Sequence, residues 1–224
     1  MPEIKIKPFA NYHGRFLLVA GIALLCISIA LSHHYWHALR LVLILVILVS
    51  IVLIFIGIAK RLEPEFSFHL TPTALSYFHK YGHWQISWQN IQRVGNVKLS
   101  SSVNHQVLPY IGIKLKNSEV LAKNISLRLA NRLPHEQRPL ATLAISSELL
   151  TIEQAQVNFA PYRLSDGSKL NGPKALLFHH IDALEKAFGY HLFLPASSLD
   201  RPLDDFLTLL NQCNSHAIKK GTDA

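Results

Sequence analysis

Two long apolar runs near the start of the chain constrain its fold more than any other feature. Residues 16–62 contain no acidic residue and only three lysines or arginines. Because a helix rises about 1.5 Å per residue, about 20 apolar residues are needed to cross a hydrocarbon core that is about 30 Å thick. The sequence therefore predicts two membrane-spanning helices, over about residues 16–35 and 39–59. The charged fraction of 16%, against roughly 25% in average soluble domains, agrees with a membrane segment of this size.

The segment that joins the two runs is short, so the spans should form an antiparallel hairpin with both ends on one side of the membrane. Most lysines and arginines of this region flank those two ends, whereas the connection offers only Arg40. The flanking residues are Lys5, Lys7, Arg15, Lys60 and Arg61. Since basic residues stay cytoplasmic, we expect an inner-membrane protein with both termini in the cytosol. The side chains expected at the membrane interfaces are Arg15, Tyr35, Trp36, Arg40, Lys60 and Arg61.

A different interpretation of the N-terminus is a cleaved signal peptide. Residues 1–30 would form it, with Ser28 and Ala30 as the small residues before the cut. The apolar run is long for a signal peptide, and a second apolar run follows at once. An uncleaved hairpin is therefore the favoured interpretation.

The chain after the hairpin changes from a strand pattern to a helix pattern, which predicts an α+β domain. Within residues 62–116, apolar and polar residues alternate, and Trp84, Ile86 and Trp88 share one face. This predicts an antiparallel sheet with the tryptophans in its core, and stacking on a ligand is the alternative. The predicted divisions are 1–61 for the hairpin, 62–133 for the sheet and a helix, 134–214 for a helical or mixed part of the same cytosolic domain, and 215–224 for a flexible tail.

From residue 117 onward, the spacing of apolar residues favours helices. The predicted helices run from about residue 117 to 132, from about Pro173 to Gly189, and onward from near Asp200. Pro134 should separate the first of these helices from the next segment of the chain. Residues 140–150 fit either a helix or a buried strand.

Three short segments resemble the opening hairpins of bacterial pleckstrin-homology-like domains. They are Leu70-Thr71-Pro72-Thr73-Ala74-Leu75, Tyr81-Gly82 and Ile86-Ser87-Trp88-Gln89-Asn90-Ile91. The resemblance implies a small barrel of about seven strands that one helix closes. About ninety residues follow Arg132, which is more helical sequence than one closing helix needs. Either the barrel is decorated, or only its first sheet is present. The whole chain is similar to an uncharacterised family of gammaproteobacterial two-span membrane proteins, which implies a shape and a location but no activity.

The charge of the chain limits which partners it is expected to bind, and the positions of its two cysteines bear on disulfide formation. Residues 62–224 carry 16 lysines and arginines against 13 acidic residues, so nucleic-acid binding is poorly supported. Basic side chains near the bilayer could contact anionic headgroups, at about 1 kcal/mol each. The expected partners are the lipid bilayer and a protein of unknown identity.

Cys26 lies in the first span and Cys213 near the end of the chain, so no disulfide is predicted.

Two groups of histidines are weak candidates for chemistry. His33, His34 and His37 lie in the connection, and His33 and His37 would share a helical face at a spacing that can bind Zn or Cu. Without a carboxylate or thiol beside them, interfacial polar residues are the favoured interpretation, and no metal or cofactor is predicted. His179, His180 and Asp182 lie on a predicted helix whose geometry does not make them converge, so a solvated helix face is the favoured interpretation.

Nucleophile elbows, phosphate-binding loops and kinase or hydrolase motifs are absent from the sequence, which therefore predicts no enzyme. The favoured hypothesis is a membrane-anchored, non-catalytic binding or scaffold protein. The alternative is an accessory subunit of a transporter or envelope-assembly complex, in which the hairpin itself is the contact surface. A membrane-bound enzyme that uses the helical C-terminal half is the third hypothesis.

Overall fold

The protein was analysed as a computed structural model that describes residues 3–8, 14–61, 64–100 and 105–222. The chain divides into two compact units. One, the hairpin unit, is Pro8–Glu65. The other, the sheet unit, combines Met1–Lys7 with Phe66–Ala224.

The hairpin unit contains two helices, α1a (Gly14–Trp36) and α1b (Leu39–Arg61). They separate where the backbone of Tyr35 and Leu39 leaves the helical region. Both helices are long and apolar enough to cross a membrane, and each includes its predicted span. The prediction of two apolar helices at the N-terminus is therefore confirmed.

A seam of mostly small residues joins the two helices. The buried residues among the described side chains of α1a and α1b are Gly14, Gly21, Ser28, Leu43, Ser50 and Gly57, which recur every seven residues along each helix. The backbones approach so closely that a Cβ on Gly57 would lie 2.8 Å from the Cα atom of Leu18. The hydroxyls of Ser28 and Ser50 each donate 2.7 Å hydrogen bonds to carbonyls of their own helices. The helices thus associate through close packing, as small residues allow in lipid.

A four-stranded antiparallel sheet opens the sheet unit. Its strands, in order across the sheet, are β1 (Ile4–Ile6), β2 (Phe68–Leu70), β3 (Ala74–His79) and β4 (Gly82–Ser87). One inward row crosses all four strands and consists of Ile6, Phe68, Tyr77 and Trp84. Trp84 and Trp88 are 2% and 1% exposed, which confirms that they are core residues. The Trp88 indole Nε1 donates to the Thr71 carbonyl at 2.9 Å.

A three-stranded antiparallel sheet forms the other side of the core. It has the order β5 (Ile91–Ser100), β6 (His105–Leu115) and β9 (Leu192–Pro195). Gly95 and Gly112 face each other across β5 and β6. The ring of Tyr190 packs against both, and a Cβ on Gly112 would lie 2.3 Å from its Cγ atom. The Arg93 guanidinium covers this ring at 5.0 Å and donates a 3.1 Å hydrogen bond to the Gly189 carbonyl.

Helices and one small hairpin separate β6 from β9. They are α2 (Val120–Asn124), α3 (Leu127–Glu136), α4 (Arg138–Ser146), α5 (Ile152–Ala155), the hairpin β7 (Tyr162–Arg163) with β8 (Lys169–Leu170), and α6 (Pro173–Phe188). The last helix, α7 (Leu203–Thr222), packs against the sheets, and its Phe206 ring lies 5.5 Å from that of Phe68. The predicted mixed helix and antiparallel sheet fold is therefore confirmed.

Several predicted boundaries need correction. The N-terminal segment was assigned wholly to the hairpin, but Ile4–Ile6 forms β1 of the sheet unit. The helix predicted over residues 117–132 breaks at Ile125, whose extended backbone forms a bridge with Trp84. Pro134 lies inside α3, so the predicted division after residue 133 falls within a helix. Residues 140–150, left open between helix and strand, begin inside α4.

The C-terminal predictions were partly correct. Helix α6 begins at Pro173 and ends at Gly189, whose φ of 76° gives the left-handed cap that glycine favours. The last helix begins at Leu203 rather than near Asp200. It continues through Thr222, so most of the tail that was predicted to be flexible from residue 215 is helical.

Candidate functional site

The outward face of the four-stranded sheet carries a continuous set of aromatic and basic side chains. We define the outer face by Lys5, Phe66, His69, Phe78, His83 and Gln85. Strand alternation places the five groups other than Phe66 opposite the core row, because Phe78 pairs with His83 one position beyond the Tyr77–Trp84 pair. Phe66 precedes β2 and joins this face through its ring contacts with His69 and Phe78. Lys5, His69, Ser76 and Gln85 form the next outward row across the sheet.

Ring contacts connect the outer face from one edge to the other. The Lys5 ammonium lies 5.4 Å from the centroid of the Phe66 ring. Phe66 meets Phe78 edge to face at 5.1 Å, and Phe78 stacks on His83 at 5.9 Å. His69 touches Phe66 at a centroid distance of 6.3 Å and contacts the Glu3 carboxylate at 3.2 Å. The face therefore combines apolar rings with the Lys5 ammonium, two histidine rings and, at its β1 side, the Glu3 carboxylate.

An open pocket of about 320 Å³ lies at the β4 end of this face. Its lining consists of His83, Gln85, Lys123, Asn124, Ile125 and Ser126. Gly82, with a φ of 138°, allows this approach, because a Cβ there would lie 1.8 Å from the Ser126 hydroxyl oxygen. The pocket is thus formed where the α2–α3 connection meets the edge of the sheet.

A second aromatic and basic group lies at the β3–β4 turn. The Tyr81 ring has the Lys80 ammonium and the Arg132 guanidinium each 5.2 Å from its centroid. Arg132 also pairs with Glu136 at 3.0 Å. Leu127 is 59% exposed beside the pocket.

The hairpin places the predicted interface residues in two groups. Arg15 is near one end together with Lys60 and Arg61, because Gly14 and Lys60 lie side by side. At the other end, Tyr35 and Trp36 are half-exposed, and the Arg40 guanidinium lies 6.0 Å from the Trp36 ring centroid. These groups have the positions within the hairpin that an interface role requires, and that role stays a prediction.

The histidines of the connection do not form a described metal site. His33 and His34 are exposed, and His34 contacts the Tyr35 ring at 5.5 Å. The side chain of His37 lies outside the described residues. In the part of the chain that the structure describes, no group of three or more His, Cys, Asp or Glu side chains could hold a metal ion.

The histidines and acid of α6 have structural contacts. The Tyr162 hydroxyl donates to Asp182 Oδ2 at 2.9 Å, and His179 Nε2 lies 3.0 Å from the Ala160 carbonyl. Burial raises the pKa of Asp182, and burial together with the Asp182 hydrogen bond raises the pKa of Tyr162 to about 12. These contacts attach the β7 segment to α6, so the perturbed groups serve to join two elements.

His191 was missed by the sequence analysis. Its Nδ1 atom accepts a 3.0 Å hydrogen bond from the Leu115 N–H, and its Nε2 atom lies 3.7 Å from Glu185 Oε2. Glu185 also pairs with Lys114 at 3.2 Å. Burial lowers the pKa of His191, although the Glu185 charge opposes this effect. The neutral ring therefore links β6, β9 and α6.

His180, which lies on α6, is a second largely buried histidine, so this part of α6 is not the solvated helix face that the sequence favoured. Its Nε2 atom is shielded from solvent and has no hydrogen-bond partner among the described residues. Burial, with a smaller contribution from the charge of His135, lowers the pKa of His180 from 6.5 to about 4. Protonation of this ring is therefore coupled to unfolding.

We expect the free energy of unfolding to decrease when the pH falls from 6.5 towards 4. The folded pKa of His180 lies below its unfolded value, so its stabilising effect is complete above pH 6.5 and is lost as the pH falls through about 4. The pKa difference corresponds to about 3 kcal/mol. Replacing His180 with leucine should remove the part of this acid dependence that His180 contributes and leave the part due to His191. Urea unfolding of the full-length protein in detergent, followed by tryptophan fluorescence, measures the difference.

The exposed His83 provides the control for this prediction. A His83→Gln variant should lose stability in acid as the unsubstituted protein does. If His180→Leu loses as much stability in acid as the unsubstituted protein, His180 is not the coupled group.

Comparison with known proteins gives one informative match. The model of a family described as a protein of unknown function (DUF2982) matches residues 68–216, which covers β2 through most of α7. No curated protein and no solved structure matches the chain. Since the matched segment is more than half of the chain, this protein belongs to the DUF2982 family of proteins of unknown function.

Proposed function

We propose that the protein is a non-catalytic binding or scaffold module, anchored by its hairpin to the cytoplasmic face of the bacterial inner membrane. The observation that carries this proposal is the position of the hairpin between β1 and β2. Ile4 pairs with Leu70 and Ile6 with Phe68, while the chain between them contains both apolar helices. Strand pairing requires both ends of the hairpin to lie on the same side of a membrane.

The packing of the hairpin supports an anchoring role. Its buried small residues are used for contact between α1a and α1b, and its exposed side chains are mainly large and aliphatic. Lipid chains can cover such an apolar surface without a protein partner. This favours an anchor over a transporter subunit that uses the spans as its contact surface.

The strand arrangement supports a pleckstrin-homology-like sheet unit. Four strands form one sheet and three form the other, and α7 follows the last strand. The additional helices lie between β6 and β9, which is the position of an insertion. The extra helical sequence is thus compatible with a decorated barrel.

Reporter fusions test the topology. Alkaline phosphatase fused after Ala224 should be inactive and green fluorescent protein there should fluoresce, because basic residues retain that end in the cytosol. A phosphatase fused after Ala38 should be active. An active phosphatase after Ala224 would contradict the cytoplasmic location.

Site-specific cross-linking tests the binding role. A photoactivatable residue at Gln85 on the outer face should capture a reproducible partner in intact cells, whereas the same residue at the exposed Gln212 on α7 should not. Replacing both spans by an unrelated hairpin should preserve the capture. Capture that depends on the native spans would instead favour the accessory-subunit alternative.

A further inference from the structure

The connection between β8 and α6 contains a dipeptide that can react with itself in water. Asn171 is followed by Gly172, and no other asparagine of the sequence is followed by glycine. The side-chain amide of an asparagine can react with the backbone nitrogen of the next residue, and a glycine there hinders the approach least because it has no Cβ. The covalent chain keeps the two groups close, so the local structure decides whether the reaction is open or blocked.

The structure leaves both reacting groups of this dipeptide accessible. Asn171 is exposed, and its side-chain amide makes no hydrogen bond with any residue that the structure describes. Gly172 has a φ of 60°, and nothing lies within 4 Å of the position that a Cβ on it would take. Its carbonyl accepts a 3.0 Å hydrogen bond from the Leu176 N–H, whereas no described residue accepts one from its own N–H. The Asn171 side chain can therefore rotate towards this nitrogen without breaking a hydrogen bond.

The preceding turn of the same segment shows how this chemistry is blocked. Asp166 also precedes a glycine, but the Gly167 N–H donates a 3.0 Å hydrogen bond to the Leu164 carbonyl. Asp166 Oδ1 accepts hydrogen bonds from the Ser168 N–H at 2.8 Å and from the Ser168 hydroxyl at 2.6 Å. Both reacting groups are held at this turn, so the accessibility of the groups at 171–172 is a property of the structure and does not follow from the glycine alone.

We propose that Asn171 is a site of spontaneous covalent modification, at which the side-chain amide is lost through a cyclic imide formed with the Gly172 nitrogen. Hydroxide takes the proton of this nitrogen, which then forms a bond to the Asn171 Cγ atom. The bond from Cγ to the amide nitrogen breaks, and the leaving nitrogen takes a proton from water and departs as ammonia. Water then opens the ring. Cleavage of the bond between the Gly172 nitrogen and Cγ gives aspartate, and cleavage of its bond to the backbone carbonyl carbon gives isoaspartate.

The position of the site lets the modified protein stay folded. Asn171 is exposed, so the new carboxylate remains in water. It lies just before α6, and a negative charge is favourable near the positive N-terminal end of a helix. The isoaspartyl form lengthens the main chain by a methylene group in the connection, outside both β8 and α6. This inference depends neither on the proposed binding function nor on the membrane anchoring.

Mass spectrometry of the full-length protein in detergent tests the modification. The protein is incubated at mildly alkaline and at mildly acidic pH and digested with trypsin, and a sample taken at the start corrects for modification during digestion. The peptide Leu170–Lys174 should gain the mass that replacement of the amide NH₂ by OH gives, and it should elute as separate aspartyl and isoaspartyl forms. The gain should be faster at the alkaline pH, because the attacking nitrogen must first lose its proton.

Asn117 provides an internal control within the same samples. It is exposed and precedes the small residue Ser118, but its Oδ1 atom accepts a 2.8 Å hydrogen bond from the Glu119 N–H. During the period in which most of Asn171 is converted, Asn117 should stay largely unmodified. Unfolding in urea should accelerate the loss of the Asn117 amide, whereas the rate at Asn171 should change little because its reacting groups are already accessible in the folded protein.

An Asn171→Gln variant should lose the mass gain, since its longer side chain would have to close a larger and less favourable ring. Tryptophan emission recorded during the incubation should stay constant, because neither product places a charge in the core. A folded protein that keeps the Asn171 amide at alkaline pH and loses it only in urea would overturn the proposal, because the structure would then protect the dipeptide. A mass gain of the same size in Asn171→Gln would overturn it too.

Discussion

Replacing Gly112 with alanine should destabilise the sheet unit by about 3 kcal/mol, near the upper end of the usual cost of overpacking. The new Cβ would lie 2.3 Å from Tyr190 Cγ and 2.4 Å from Cδ2, far inside van der Waals contact. The ring cannot move away easily, because Arg93 covers it and is itself hydrogen-bonded to the Gly189 carbonyl. The central β5–β6 pair would therefore have to separate from this ring.

Urea unfolding of the full-length protein in detergent, followed by the fluorescence of the buried tryptophans, measures this effect. Gly167→Ala is the matched control, because nothing lies within 4 Å of its Cβ position. With a φ of 83°, it should cost only the left-handed strain of about 1 to 2 kcal/mol.

A double-mutant cycle with Tyr190→Ala identifies the cause. Once the ring is removed, Gly112→Ala should add little further destabilisation, so the two substitutions should be strongly non-additive. If the two effects add, the clash with Tyr190 is not what makes glycine necessary at this position.

Replacing Gly57 with leucine should separate the two helices of the hairpin unit. Even a Cβ at this position would lie 2.8 Å from both the backbone N and the Cα of Leu18, and backbone atoms cannot rotate out of the way. In lipid, no hydrophobic force between the helices compensates for the lost close packing. We expect a larger interhelical separation, although each helix stays long and apolar enough to span.

Cysteine cross-linking measures this separation. With Cys26 and Cys213 replaced by alanine, the pair Gly14→Cys and Lys60→Cys should form a disulfide readily, because a Cβ on Gly14 lies 3.1 Å from Lys60 Cβ. Gly57→Leu should abolish most of this cross-link. Ile58→Leu, a conservative change at an exposed neighbouring position, should not. A cross-link that survives in the Gly57→Leu protein would show that the seam does not hold the helices together.

The elements with strong local patterns were predictable from the sequence. The two apolar runs, the alternation around Trp84 and Trp88, and the helical spacing of apolar residues between Pro173 and Gly189 are all local patterns that burial imposes on the sequence. The signal for β1 was also available, since Ile4 and Ile6 alternate with Lys5 and Lys7. It was missed because the strand has three residues and its partner lies beyond the hairpin.

The hairpin seam had a readable signal as well, because small residues recur at intervals of seven in both runs. The outer face did not, since it joins residues that are distant in the chain, such as Lys5 with Phe66 and His83 with Lys123 in the lining of the pocket. The break at Ile125 was hidden for the same reason. Its extended backbone pairs with Trp84, and this tertiary contact overrides the local helical preference.

The insertion of the hairpin between β1 and β2 has a consequence for biosynthesis. The first strand leaves the ribosome about sixty residues before its partner, and the intervening chain contains both apolar helices. In the proposed membrane anchoring, the four-stranded sheet therefore cannot be completed until both spans have been released into the bilayer with both ends of the hairpin on the same side. Under the same proposal, a molecule in which one span failed to insert would keep β1 and β2 on opposite sides of the membrane and leave the edge of β2 without its partner strand.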